Sequence, residues 1–155
     1  MTLEAEVEAL RQVPLFNGIE PGKLRLLAFI SERVTYESDE RLCSQGEPGD
    51  SAFIILGGNA DVRVNTDQGE RTVAALGAND IVGEIAILCD VPRTAAVVAT
   101  SDMDVLTVSK DNFLKLLQEF PEMALEVMRV LAHRLERTTR DLAEVRASLP
   151  KNGNG

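Results

Sequence analysis

Between positions 82 and 95 the chain reads Val-Gly-Glu-Ile-Ala-Ile-Leu-Cys-Asp-Val-Pro-Arg-Thr-Ala, a run that breaks the alternation of the strands around it. Gly83 permits positive φ or close backbone approach. Glu84 to Leu88, with Ile85 and Ala86 inside, has the length of one helical turn, whose free N–H groups attract an anion. A carboxylate beside a phosphate would repel it, so Glu84 suits hydrogen bonds from sugar hydroxyls instead. Arg93, stiffened by Pro92, carries a planar guanidinium that can fork onto two phosphate oxygens. Thr94 adds a hydroxyl, and Ala95 and Ala96 are small enough for a ligand to lie against the strand. The same spacing also fits a simpler arrangement, an exposed Glu84–Arg93 ion pair worth under about 1 kcal/mol, across a turn shaped by Gly83 and Pro92.

This segment resembles the phosphate-binding cassette of cyclic nucleotide-binding domains, whose pattern is roughly FGE-[L/I]-A-L, a short spacer, then PR-[T/S/A]-A. Gln45 to Asp50 resembles that family's turn between early strands, Phe53-Ile54-Ile55 its next strand, and Pro14-Leu15-Phe16 its helical entry; the likeness runs over roughly 13–140. It implies that Gly83, Glu84 and Ala86 contact the ribose phosphate, that Arg93 pairs with the cyclic phosphate, and that Thr94 touches phosphate or base. The implied ligand is cyclic AMP, with cyclic GMP as the alternative, and no cofactor or metal is implied. Two positions depart from the pattern. Val82 stands where an aromatic is usual, and the usual L-G-x-G-D turn reads Leu76-Gly77-Ala78-Asn79-Asp80. Asn79 tolerates the left-handed region, so the turn is expected to survive.

The elements that must hold this segment are legible from periodicity. Leu3 to Leu10 is acidic and amphipathic, and Pro21 opens a second short helix through Leu24, Leu27 and Ala28. Short apolar runs follow at Ala52–Leu56, Ala60–Val64, Thr72–Leu76, Ala95–Thr100 and Val105–Val108, separated by Gly- and Asn-rich turns. Helical periodicity returns over Asp111–Phe120 and from Met123 to about Leu149. The expected fold is mostly β with flanking helices: an antiparallel jelly-roll barrel (33–108), N-terminal helices (1–30) and C-terminal helices (111–149). Together these form one domain over 1–150, followed by a flexible tail at 151–155.

On the last helix Ala124, Met128, Leu131, Leu135, Thr138, Leu142, Val145 and Leu149 recur at alternating spacings of four and three, the pattern of a coiled-coil seam and so of a homodimer. Here the helix looks like that of the catabolite activator family, where a Thr-Ser pair hydrogen-bonds adenine. The likeness implies that Thr138 and Thr139 close over the base, while the residues alone read equally as polar surface. That family continues into a DNA-binding domain, whereas this sequence stops soon after Pro150 and is expected to signal to an effector protein instead.

Composition narrows the alternatives. A net charge of −9 without a Lys/Arg run argues against nucleic acid as partner. Apolar stretches far shorter than ~20 residues argue against a membrane span. The acidic N-terminus does not read as a secretory signal, so a cytoplasmic location is expected. A cupin-type enzyme needs a cluster of His and carboxylate ligands to hold a metal, and His133 is the only histidine, on a helix. Haem or iron–sulfur sensing would need a ligand set that Cys43 and Cys89, expected to be small core residues, do not supply. A binding module is therefore expected rather than an enzyme, with a scaffold that keeps the fold and binds no nucleotide as the other reading.

Overall fold

The computed structural model describes residues 2–149. Helix α1 (Leu3–Arg11) is capped by Thr2, whose hydroxyl accepts from the Ala5 N–H at 3.2 Å. A 3₁₀ turn at Pro14–Phe16 leads to α2 (Pro21–Ile30), opened by its N1 proline. Eight strands follow: β1 (Glu32–Tyr36), β2 (Arg41–Cys43), β3 (Ser51–Gly57), β4 (Ala60–Thr66), β5 (Gly69–Leu76), β6 (Ile81–Val82), β7 (Ala96–Ala99) and β8 (Met103–Ser109), with α3 (Glu84–Leu88) between β6 and β7. Helices α4 (Lys110–Glu119) and α5 (Pro121–Ser148) complete the described chain. No helix of the described residues is long and apolar enough to cross a membrane.

The strands pair antiparallel in two four-stranded sheets, β1-β8-β3-β6 and β2-β7-β4-β5. The sheets face each other as a sandwich, and among the described residues no hydrogen-bonded ladder joins them into a closed cylinder. Strand β3 explains why alternation is weak in the sequence. Phe53 and Ile55 enter the core between the sheets, while Ala52 and Ile54 enter a second core under the helices, so both faces are apolar. That second core gathers Leu10, Leu24, Leu27, Phe113, Met123 and Val127. Strand β5, exposed along nearly its whole length, lies at a sheet edge and carries Glu70 and Arg71.

The five strands named from the sequence are present, and β1, β2 and β6 are additions. Strand β2 has three residues and β6 two, too short to show a period. Of the two cysteines, Cys43 is half-buried, and Cys89 is exposed rather than in a core. Cys89 is the C-cap of α3, a helix of five residues that buries Ala86 and Ile87 and leaves its end to solvent. The expected tail at 151–155 lies outside the described residues.

Candidate functional site

Strand β6 ends at Val82, and Gly83 after it takes φ 91° as the N-cap of α3. A Cβ there would lie 2.5 Å from Arg93 Nη1 and 3.0 Å from the Ser51 carbonyl oxygen, so glycine is demanded by both the backbone region and the space. The turn before it also forms as expected, with Asn79 at φ 77° and the Gly77 N–H donating to Asp80 Oδ2 at 2.8 Å. On the other side of α3, Gly49 approaches so closely that a Cβ would lie 2.2 Å from the Ala86 Cβ. The Gln45–Asp50 turn therefore packs directly on the segment, and it also holds Arg93 by its backbone. The Arg93 N–H donates to the Glu47 carbonyl at 2.8 Å, and the Gly46 N–H donates to the Arg93 carbonyl at 2.8 Å.

The Arg93 side chain is 5% exposed. Its Nη2 donates to the Ser51 carbonyl at 2.8 Å and to Ser51 Oγ at 3.2 Å, and its Nη1 donates to the Gly83 carbonyl at 3.3 Å. The guanidinium stacks on the Phe53 ring, 5.1 Å from its centroid, and its carboxylate neighbour, Asp50, is 3.8 Å away on the exposed side. The cation is thus aimed by neutral carbonyls and a ring, with a distant, solvated counter-ion. An incoming anion would meet a positioned charge at little reorganisation cost.

Glu84 is 1% exposed. Its Oε1 accepts from Arg134 Nη1 of α5, whose Nη2 donates to the Ile81 carbonyl at 2.6 Å. Its Oε2 is buried with no hydrogen-bond partner among the described residues. Burial pushes the Glu84 carboxyl above the ordinary carboxylate range, while Arg134 and, more weakly, Arg93 pull it down. A buried acceptor left unpaired is costly, so Oε2 is the carboxylate oxygen open to a further donor.

These two side chains open on one cavity of ≈ 190 Å³. Gly83, Glu84, Ile85, Ala86, Arg93, Thr94 and Ala95 line it, against a sheet wall that includes Val62, Ala74, Leu76 and Val97. Pro92 lies outside that lining, on the far surface of the segment with Gly46 and Gly49. Thr138 and Thr139 are exposed on α5, beyond Arg134, and do not reach the cavity wall. Sequence reasoning missed Arg134, Ser51 and Phe53. An arginine four residues before the threonine pair was the available sign, but nothing local linked it to Glu84, 50 positions away. At its far end the segment is tied to α4, since Lys110 Nζ pairs with Asp90 Oδ1 at 3.1 Å and the Lys110 N–H donates to the Asp50 carbonyl at 2.8 Å.

Comparison with known proteins decides the family. The family model described as "Cyclic nucleotide-binding domain" matches residues 33–120, which contain the whole segment. The chain belongs to the cyclic nucleotide-binding domain family. It is similar to the "CRP-like cAMP-activated global transcriptional regulator" of Mycobacterium tuberculosis, 29% identical over 139 residues, covering 89% of this chain and 62% of that protein. This cyclic nucleotide-binding domain chain therefore spans less than two thirds of that relative. Among solved structures it is similar to the catabolite activator protein of Thermus thermophilus, with TM-score 0.77, 28% identity and coverage of 86% of this chain and 63% of that one. It is also similar to the regulatory domain of Toxoplasma gondii PKA, solved with cAMP, with TM-score 0.67, 28% identity and coverage of 74% and 44%. Its relatives are regulatory proteins, and the fold class read from the sequence is that of the family.

Proposed function

We propose that this protein is a cytoplasmic cyclic nucleotide sensor, a binding module and not an enzyme, with cyclic AMP as its ligand in preference to cyclic GMP. One observation carries the reading. The buried Arg93 and the carboxylate of Glu84, whose Oε2 has no hydrogen-bond partner among the described residues, line the same cavity, so a cation for an anion and an acceptor for a hydroxyl stand together. A ribose cyclic phosphate supplies both groups on one ring: the phosphate takes the Arg93 fork and the 2′-hydroxyl donates to Glu84. Gly83, Ile85 and Ala86 bring the backbone of α3 close, and Thr94 and Ala95 meet the phosphate or the base. The sheet wall of Val62, Ala74, Leu76 and Val97 gives the base an apolar surface, and the Thr94 hydroxyl in the same lining is the group that could meet the 2-amino group of a guanine. The relatives named for cAMP support the adenine preference.

Calorimetric titration with both nucleotides tests this. Binding of cyclic AMP at micromolar Kd or tighter is expected, with cyclic GMP weaker. The affinity is also expected to depend on acid. The ligand needs Glu84 charged, so the complex holds its carboxyl lower than the free protein does. Binding then weakens as pH falls through the free protein's raised Glu84 pKa, beginning above the ordinary value of 4.5. Glu84→Gln should bind more weakly and lose this dependence. Absence of binding to either nucleotide would leave the scaffold reading.

The sensor's output runs through α5 to an effector protein and across a homodimer. Leu135 is 69% and Met128 59% exposed, and Leu142, Val145 and Leu149 continue the same stripe beyond the sandwich. In such a dimer Thr138 and Thr139 would approach the base from α5, as the sequence led us to expect, whereas neither nucleic acid nor membrane is a partner. Light scattering should give twice the chain mass at micromolar concentration, and the chain mass after truncation before Leu142. Monomers in both cases would remove the seam.

A further inference from the structure

A groove of ≈ 480 Å³ runs along α5 on the side away from the apolar stripe. Its floor includes Pro14 and Val130, and its rim carries His133, Arg134, Arg137 and Arg140. In a chain of net charge −9 the three arginines are a local concentration of cations. The acids facing it are Asp80, which is engaged by the Gly77 N–H, and Glu136, which pairs with Arg140 one turn away on the exposed helix face. Arg137 makes no hydrogen bond or ion pair among the described residues, and an exposed i,i+4 pair such as Glu136–Arg140 exchanges readily for a better acceptor. The volume falls in the range of small-molecule sites. Pairing of two chains through the stripe would leave the groove open.

Arg134 belongs to both places. Its guanidinium lines the groove and also the smaller cavity, where it pairs with Glu84. We propose that the groove is a second anion site, taking a phosphate- or carboxylate-bearing polyanion of small-molecule size on Arg137 and Arg140, and that its occupation opposes that of the nucleotide cavity through Arg134. The sign follows from the charges around Glu84. A nucleotide phosphate engages Arg93, which leaves Arg134 as the cation that keeps the buried carboxylate charged. An anion in the groove draws Arg134 the other way, so each ligand weakens the other by the same factor. The antagonism rests on the nucleotide reading above; the groove site itself does not.

The test is a titration of the isotope-labelled full chain with inorganic pyrophosphate and, separately, citrate, followed by backbone and arginine side-chain NMR shifts. Saturable shifts at Asn79, Asp80 and 133–140 are expected with one or both probes, and loss of about tenfold or more in affinity for the Arg137→Ala/Arg140→Ala double variant, whose exposed sites leave the fold intact. The two probes separate phosphate from carboxylate chemistry. Shifts confined to 83–94, shifts that never saturate, or equal affinity in the double variant would each overturn the site. With pyrophosphate saturating, cyclic AMP affinity should fall by about two- to tenfold in the native chain and not in the double variant. An unchanged affinity would overturn the antagonism, and failure of cyclic AMP to bind at all would overturn the nucleotide reading while the shift map still judged the groove.

Discussion

Arg93→Ala is expected to weaken cyclic nucleotide binding by about 2–4 kcal/mol, which is about thirty- to a thousandfold in Kd by calorimetry. The size follows from how the side chain is held. Three hydrogen bonds to Ser51 and Gly83 and the face of Phe53 fix the guanidinium, and a nearly buried position takes it out of competition with water. A ligand phosphate that entered without it would lose its solvation and find no counter-charge. Arg93→Lys tests geometry against charge. A lysine keeps the positive charge but can neither fork nor satisfy both carbonyls, so most of the loss should remain. If the alanine variant binds as tightly as the native chain, Arg93 is a structural clamp and the phosphate lies elsewhere.

Gly83→Ala should damage stability and binding together. A left-handed φ of 91° costs an L-residue about 1–2 kcal/mol, and the added Cβ would stand 2.5 Å from Arg93 Nη1. The clash is relieved most simply by moving the guanidinium, so the nucleotide affinity should drop by about tenfold or more in addition to a lower denaturation midpoint. Gly22→Ala is the control. A Cβ at Gly22 meets nothing within 4 Å, and its site in α2 favours alanine, so stability should hold or rise and binding should not change. If Gly83→Ala behaves as the control does, the tight packing around Arg93 is not what positions it.

How much of this was legible in the sequence varies with the range of the interaction. The turn of α3 could be read because Gly83 and Pro92 punctuate it locally, and its bounds at Glu84 and Leu88 match those expected. The long α5 was legible from its heptad spacing, and the left-handed Asn79 from its residue type. What could not be read depends on contacts between distant segments. The Glu84–Arg134 pair joins α3 to α5, and the burial of Arg93 against Ser51 and Phe53 joins a loop to β3. Spacing along the chain left open whether Glu84 and Arg93 were an exposed pair. The two are buried, and their hydrogen bonds and ion pairs go to other residues rather than to each other. Thr138 and Thr139 show the opposite limit, because both are exposed away from the cavity and the role proposed for them needs a second chain.

The volume of the cavity has a kinetic consequence. At ≈ 190 Å³ it is smaller than the ~300 Å³ at which ligand sites usually begin, and Arg134 of α5 is part of its lining. On the proposed function, a cavity of this size calls for capture in a form where α5 stands further from it. Entry would follow an excursion of α5, after which Arg134 returns to Glu84, so association should level off with rising nucleotide concentration at the frequency of that excursion. In the proposed sensor the grip of one helix on the sandwich sets how fast nucleotide enters, and substitutions in that helix would retune that rate without touching the ligand.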